Sequence, residues 1–166
     1  MKTKLMALAL VLVSSLAFAQ TADEILAKYY ENTGGLDNWK SLKSIRMIGK
    51  VSVQGMEIPI EMVNTNAGKM IMKGEIQGQK FVQQAFDGSV AWATNFMNFK
   101  FEKSDNETTE NMKRESKDFP DAFIDYKSKG YQVELMGKET FEGTECYKIK
   151  LTKKTALVDG QEVPNV

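Results

Sequence analysis

The chain has 166 residues, 22 basic and 22 acidic, with no histidine and one cysteine. That length supports one domain with its own core, and the balanced charge makes nucleic acid and anionic membrane surfaces poor partners, since both are reached through clustered positive charge. One cysteine excludes an internal disulfide, and the missing histidine removes the usual general base and the commonest zinc ligand.

The first nineteen residues read as a secretory leader. Lys2 and Lys4 precede an apolar run from Leu5 to Val13, and Ala17-Phe18-Ala19 is the small-x-small pattern cut by signal peptidase. The run is too short to span a bilayer. Cleavage removes two lysines, so the mature chain, residues 20–166, is slightly acidic. It is expected to be periplasmic and free of a lipid anchor, because no cysteine stands at the cleavage point.

Thr21-x-x-Glu24 is a capping-box pattern, and Ile25/Tyr29 with Leu26/Tyr30 are i,i+4 apolar pairs, so a helix opens the mature chain and stops at Gly34-Gly35. Leu36, Trp39 and Leu42 suggest a second short amphipathic turn. From Ser44 the period changes to two. "SIRMIGKVSV" sets Ile45, Met47, Gly49, Val51 and Val53 against Arg46, Ile48, Lys50 and Ser52, as in a half-buried strand. Gln54-Gly55 turns it into "MEIPIEMV", where Pro59 points to an edge or a bulge. "NTNAG", Gln77-Gly78 and Asp87-Gly88 are further turns, the last a pair suited to a two-residue type I′ hairpin. Turn signals about every ten residues through five strands predict an antiparallel meander.

"EKSDNETTENMKRESKD" is charged enough to be a loop or a solvated helix. "FPDAFIDYKSKG" fits a short helix bearing Phe119, Phe123, Ile124 and Tyr126 and ending at Gly130. Strands are expected at 131–138 and 145–153. "LVDGQEVPNV" reads as a hairpin turned by Asp159-Gly160 and left without its partner strand, so the chain is expected to be incomplete at its C-terminus.

Catalytic groups do not converge. Cys146 sits at an alternating strand position with nothing nearby to lower its pKa, and Asp118, Asp121 and Asp125 read as caps and solvated charges. The informative residues are apolar. Met47, Met56, Met62, Met70, Met72 and Met136 fall on expected strands, where β-branched residues are commoner. Such a face suits either flexible apolar ligands or gap-filling against the N-terminal helix, and Trp92 is equally a wall of a core or of a cavity.

The leader, "YYENTGGLDNWKSLKSIRMIGKV", "AFDGSVAW" and "DYKSKGYQVELMGKETFEGTECYKIKLTKK" together resemble the outer-membrane lipoprotein-sorting proteins of Bacteroidetes type, LolA-like periplasmic lipoprotein carriers. The resemblance implies an α+β, mainly antiparallel fold, a curved half-barrel sheet with covering helices, over residues 20–166. It implies a non-enzymatic carrier or chaperone without a cofactor, holding acylated lipoprotein or lipid and exchanging it with membrane-bound loading and receiving proteins. Met47, Met62, Met70, Met72 and Trp92 would line the apolar concave cavity, and Phe119, Phe123 and Ile124 would belong to its lid. The Arg-Pro pair that helps lock the carrier's lid has no counterpart in "NTNAGK". The alternative is an exported protein-interaction module with the same fold and a filled core.

Overall fold

The computed structural model describes residues 20–166; the expected leader lies outside the described residues. Helix α1 (Ala22–Asn32) begins where its capping box places it. Glu24 N donates to Thr21 Oγ1 at 3.2 Å, and Thr21 N donates to Glu24 Oε2 at 2.8 Å. A cap of this kind contributes about 1 kcal/mol. Gly34 and Gly35 follow with φ of 112° and 92°, angles that a side chain resists. From the next helix, α2 (Leu36–Ser41), Trp39 reaches back and its Nε1 donates to Thr33 O at 3.2 Å and Thr33 Oγ1 at 3.1 Å. Thr33, Gly34, Gly35 and Trp39 together therefore bracket the two helices.

Six strands follow: β1 (Ser44–Val53), β2 (Met56–Thr65), β3 (Met70–Ile76), β4 (Gln79–Phe86), β5 (Ala91–Asn95) and β6 (Lys100–Lys103). They form one antiparallel sheet in chain order; the turn spacing predicts the meander through its first five strands, and β6 is an addition that runs into the stretch expected to be a loop or solvated helix. Gln54-Gly55 and Gln77-Gly78 turn it with positive φ at both positions, as type I′ turns require. Pro59 pairs with Lys50 of β1 but lies just beyond the β2–β3 ladder, which begins at Ile60, so its missing N–H breaks no bond to β3. The bulge is elsewhere. Met72 pairs with Gln84 and Lys73 with Val82, which leaves Gln83 as an extra residue in β4.

Asp87-Gly88 is not the two-residue hairpin expected. Phe86 pairs with Ala91, so residues 87–90 all belong to the loop, and of the two only Gly88 has a positive φ. Asp87 is instead an acceptor: its Oδ1 takes Ser89 N at 2.8 Å, Ser89 Oγ at 2.8 Å and Val90 N at 2.9 Å. These bonds hold its carboxyl well below the usual carboxylate range.

The charged stretch after β6 is a helix, α3 (Asn106–Glu115), capped by Asp105 and continued by a 3₁₀ turn, Ser116–Asp118. It is solvated on one side only, because Thr109 and Met112 are buried. The short helix expected over "FPDAFIDY" is absent. That segment is a run of turns, in which Asp121 Oδ1 accepts Phe123 N at 2.8 Å and Asp125 takes a φ of 53°, which a helix cannot continue through.

The remaining strands form two hairpins. β7 (Gln132–Phe141) pairs with β8 (Thr144–Thr152), and β9 (Ala156–Val158) with β10 (Gln161–Val163). The second hairpin was expected to lack its partner. It closes within the chain because Asp159 and Gly160, both at positive φ, make a two-residue turn and the three residues after it suffice for a short ladder. Side chains of α3 fasten it. Asn111 exchanges two 2.8 Å bonds with the Leu157 backbone, and Arg114 forms a fork to Glu162 with both contacts at 2.8 Å.

Two apolar clusters hold these parts. One joins Leu26 and Tyr30 of α1 to Ile124, with Trp39, Phe123, Val133 and Ile149 packed around them. The other joins Phe86 and Ala91 of the sheet to Met112 of α3, with Met70 beside them.

Candidate functional site

Directly opposed residues on neighbouring strands share a face of the sheet. Met47 faces Met62, Met62 faces Met72, and Met72 faces Gln84, so one rung carries three methionines across β1, β2 and β3. Met70 lies two residues from Met72 and opposite Phe86, which adds both to that face. Phe81 joins it opposite Gly74, so close that a β-carbon on Gly74 would meet the Phe81 ring at 2.4 Å.

Where α3 and the Phe119-Pro120 segment cross this face they leave a hollow of about 320 Å³, lined by Met62, Met70, Met72, Phe86, Met112 and Phe119. Asn64, Lys69, Gln84, Glu115 and Asp118 also line it, and Asn64 Nδ2 donates to Met62 Sδ at 3.6 Å. Apolar side chains and polar groups thus share the hollow, a mixture that sites for amphipathic ligands also show.

Met62, Met70, Met72 and Phe119 thus come together, and the other expected site residues do not. Met47 continues the rung but stays 45% exposed at the edge strand, outside the hollow. Phe123 and Ile124 pack on α1 in the other cluster. Trp92 is on the opposite face, because it pairs with Ala85, which pairs with Ile71. There Trp92 stacks on Phe101 with centroids 5.6 Å apart, and Lys103 Nζ lies 5.5 Å from its ring.

That opposite face holds a second, more open groove of about 480 Å³ that sequence reasoning missed. Its apolar lining joins Ile48, Val82, Phe99 and Phe101 to Ile60 and Phe81, which reach it from the methionine face. Arg46 Nε donates to Glu61 Oε1 at 3.1 Å on its rim, and Lys73 adds an ion pair to the same carboxylate at 3.7 Å. The Arg46 bond chiefly holds the Glu61 carboxyl below its ordinary range. A signal was present: Ile48, 71% exposed, interrupts the polar series Arg46, Lys50 and Ser52.

Among the described residues, no three His, Cys, Asp or Glu side chains cluster to hold a metal ion, and no helix is long and apolar enough to cross a membrane. No family model, curated protein or solved structure matches this chain.

Proposed function

We propose that the protein is a periplasmic, non-enzymatic carrier that shields an acyl chain of a lipoprotein or another lipid against its methionine face, on a LolA-like half-barrel. The observation that carries this reading is the hollow between that face and the Phe119-Pro120 segment, where Met62, Met70, Met72 and Met112 meet. Methionine is unbranched and polarisable, so its side chains re-pack around flexible hydrocarbon at small cost. Each buried CH₂ contributes about 0.8 kcal/mol, so a long chain fully enclosed would scarcely leave. A small, part-open hollow suits reversible loading better. The Phe86, Ala91, Met112 and Met70 cluster favours the alternative, an interaction module whose interior is already filled.

Displacement of a fluorescent fatty acid separates the two. The wild-type protein is expected to bind it, and the double variant Met62→Gln, Met72→Gln is expected to lose at least tenfold in affinity, because two amides in an apolar hollow resist burial. Ile48→Gln on the other face should leave binding unchanged. A wild-type protein that takes up no fatty acid, and carries no lipid by mass spectrometry after native purification, would exclude the carrier.

A further inference from the structure

The tip of the β5–β6 hairpin is apolar where a turn is ordinarily polar. In "NFMNFKF", Met97 is 96% exposed, and Phe96, Phe99 and Phe101 are about half exposed around it. Single exposed apolar residues are ordinary, but four large ones within six positions at one apex are not.

The tip is also held in shape. Asn95 Oδ1 accepts Met97 N at 2.9 Å, Asn98 Oδ1 accepts Lys100 N at 2.8 Å, and Phe99 N donates to Asn95 O at 2.7 Å. The Asn95 and Asn98 amides both donate to Glu102, at 3.0 and 2.9 Å, which occupies its carboxylate and holds it below its ordinary range. Phe99 sits at φ 55°, a costly region for an aromatic residue, and contacts Phe96, which in turn rests on Phe81. A strained backbone that holds aromatic side chains in solvent is a pre-formed contact surface.

We infer that this hairpin tip inserts into the headgroup region of an anionic phospholipid bilayer. The charges fit that occupant. Lys100 and Lys103 lie on β6 behind the apex, Lys80 lines the open groove with Phe99 and Phe101, and none of the three makes an ion pair within 4 Å among the described residues. An apolar apex with lysines behind it places methionine and phenylalanine at the acyl boundary while the ammonium groups reach the phosphates. Overall charge balance argues against anionic surfaces only for the molecule as a whole; here three lysines stand against two carboxylates, Glu75 and Glu102. Phe99 and Phe101 also line the open groove, so docking would bring the mouth of that groove to the membrane. The inference does not depend on what fills the methionine hollow.

Co-sedimentation of the mature protein with vesicles of phosphatidylglycerol and phosphatidylethanolamine tests it. Binding is expected, weaker on pure phosphatidylcholine and weaker at high salt. Met97→Asp should reduce it at least tenfold with an unchanged melting temperature, because Met97 touches little else, and Lys100→Glu should reduce it several-fold. Retained vesicle binding by Met97→Asp, or no binding by the wild-type protein, would overturn the inference. So would concentration-dependent self-association that Met97→Asp abolishes, since the tip would then be a protein contact. Fatty-acid uptake by the Met62→Gln, Met72→Gln variant is read separately, so the two proposals fail independently.

Discussion

Phe86→Ala is expected to destabilise the fold by about 3–5 kcal/mol, the range for removing a large aromatic side chain from a core that cannot collapse around the space. Phe86 is 3% exposed, and Ala91, at 0%, is its cross-strand partner. Met112 of α3 and Met70 of β3 meet at the same point. Ala91 N donates to Thr109 Oγ1 at 3.2 Å, so disturbance at Phe86 also loosens the seat of α3. Urea denaturation of the variant beside Phe101→Ala measures it. Phe101 is half exposed, and its loss should cost no more than about 1 kcal/mol. Similar midpoints for the two variants would mean that α3 is not anchored on Phe86.

The second large effect is expected at Asp118, where three elements meet. Its Oδ1 accepts the Tyr131 hydroxyl at 2.9 Å, its Oδ2 lies 3.0 Å from Lys153 Nζ, and Lys129 Nζ is 3.6 Å away. All three charged side chains are largely sheltered. Asp118→Ala takes the acceptor from the Lys153 ammonium and the Tyr131 phenol and leaves Lys129 with only the Asp121 and Ala122 carbonyls, at a cost of about 3 kcal/mol. Burial first, and then the bond to Asp118 and its charge, push the Tyr131 pKa up to about 12. An unfolded tyrosine ionises near 10, so Tyr131 contributes stability that is complete below about pH 10 and is lost as pH rises towards 12. Burial and the nearby Asp121 carboxylate raise Tyr30 further still. In Asp118→Asn the alkaline limb of the stability profile should move to lower pH. Thermal melts across pH 8 to 12 would reveal it, and superimposed alkaline limbs would remove Asp118 from the argument.

Period-two alternation and recurrent X-Gly pairs made the first five strands of the meander legible, and Thr21-x-x-Glu24 made α1 legible, because these are local rules that tertiary context did not override; β6, short and mostly charged, carried no such pattern. Trp92 was misplaced by a single residue. With an unbroken register from the Gln77-Gly78 turn, Met72 would pair with Gln83 and Met70 with Ala85, which would put Trp92 on the methionine face. The extra Gln83 turns over everything beyond it, exchanging Ala85 and Trp92 for Phe86 and Ala91. A trace of this stands in the sequence, since Phe81 and Phe86 differ in parity yet both belong to the apolar face. The turns at 119–130 read as a helix because crowded aromatic residues mimic an amphipathic stripe, whereas Asp121 and Asp125 draw the backbone into turns. The groove around Ile48 and Phe101 depends on which strands lie side by side, which no window along one strand reports.

The chain-order arrangement of the sheet also bears on how the protein reaches its native state. Each of β2 to β6 needs only the strand before it, so each pairing closes a loop of a few residues and carries a small entropic cost. Such a meander can grow strand by strand from one hairpin, without awaiting distant partners. Helix α1 is the exception. Leu26 and Tyr30 find Ile124, Val133 and Ile149 a hundred residues or so further on, a far longer closure than any pairing in the sheet. Helix α1 is therefore expected to dock last. Stopped-flow refolding should register sheet formation before the fluorescence of Trp39, on the neighbouring α2, reaches its native value, and a simultaneous rise of both signals would mean that the two clusters form in one step.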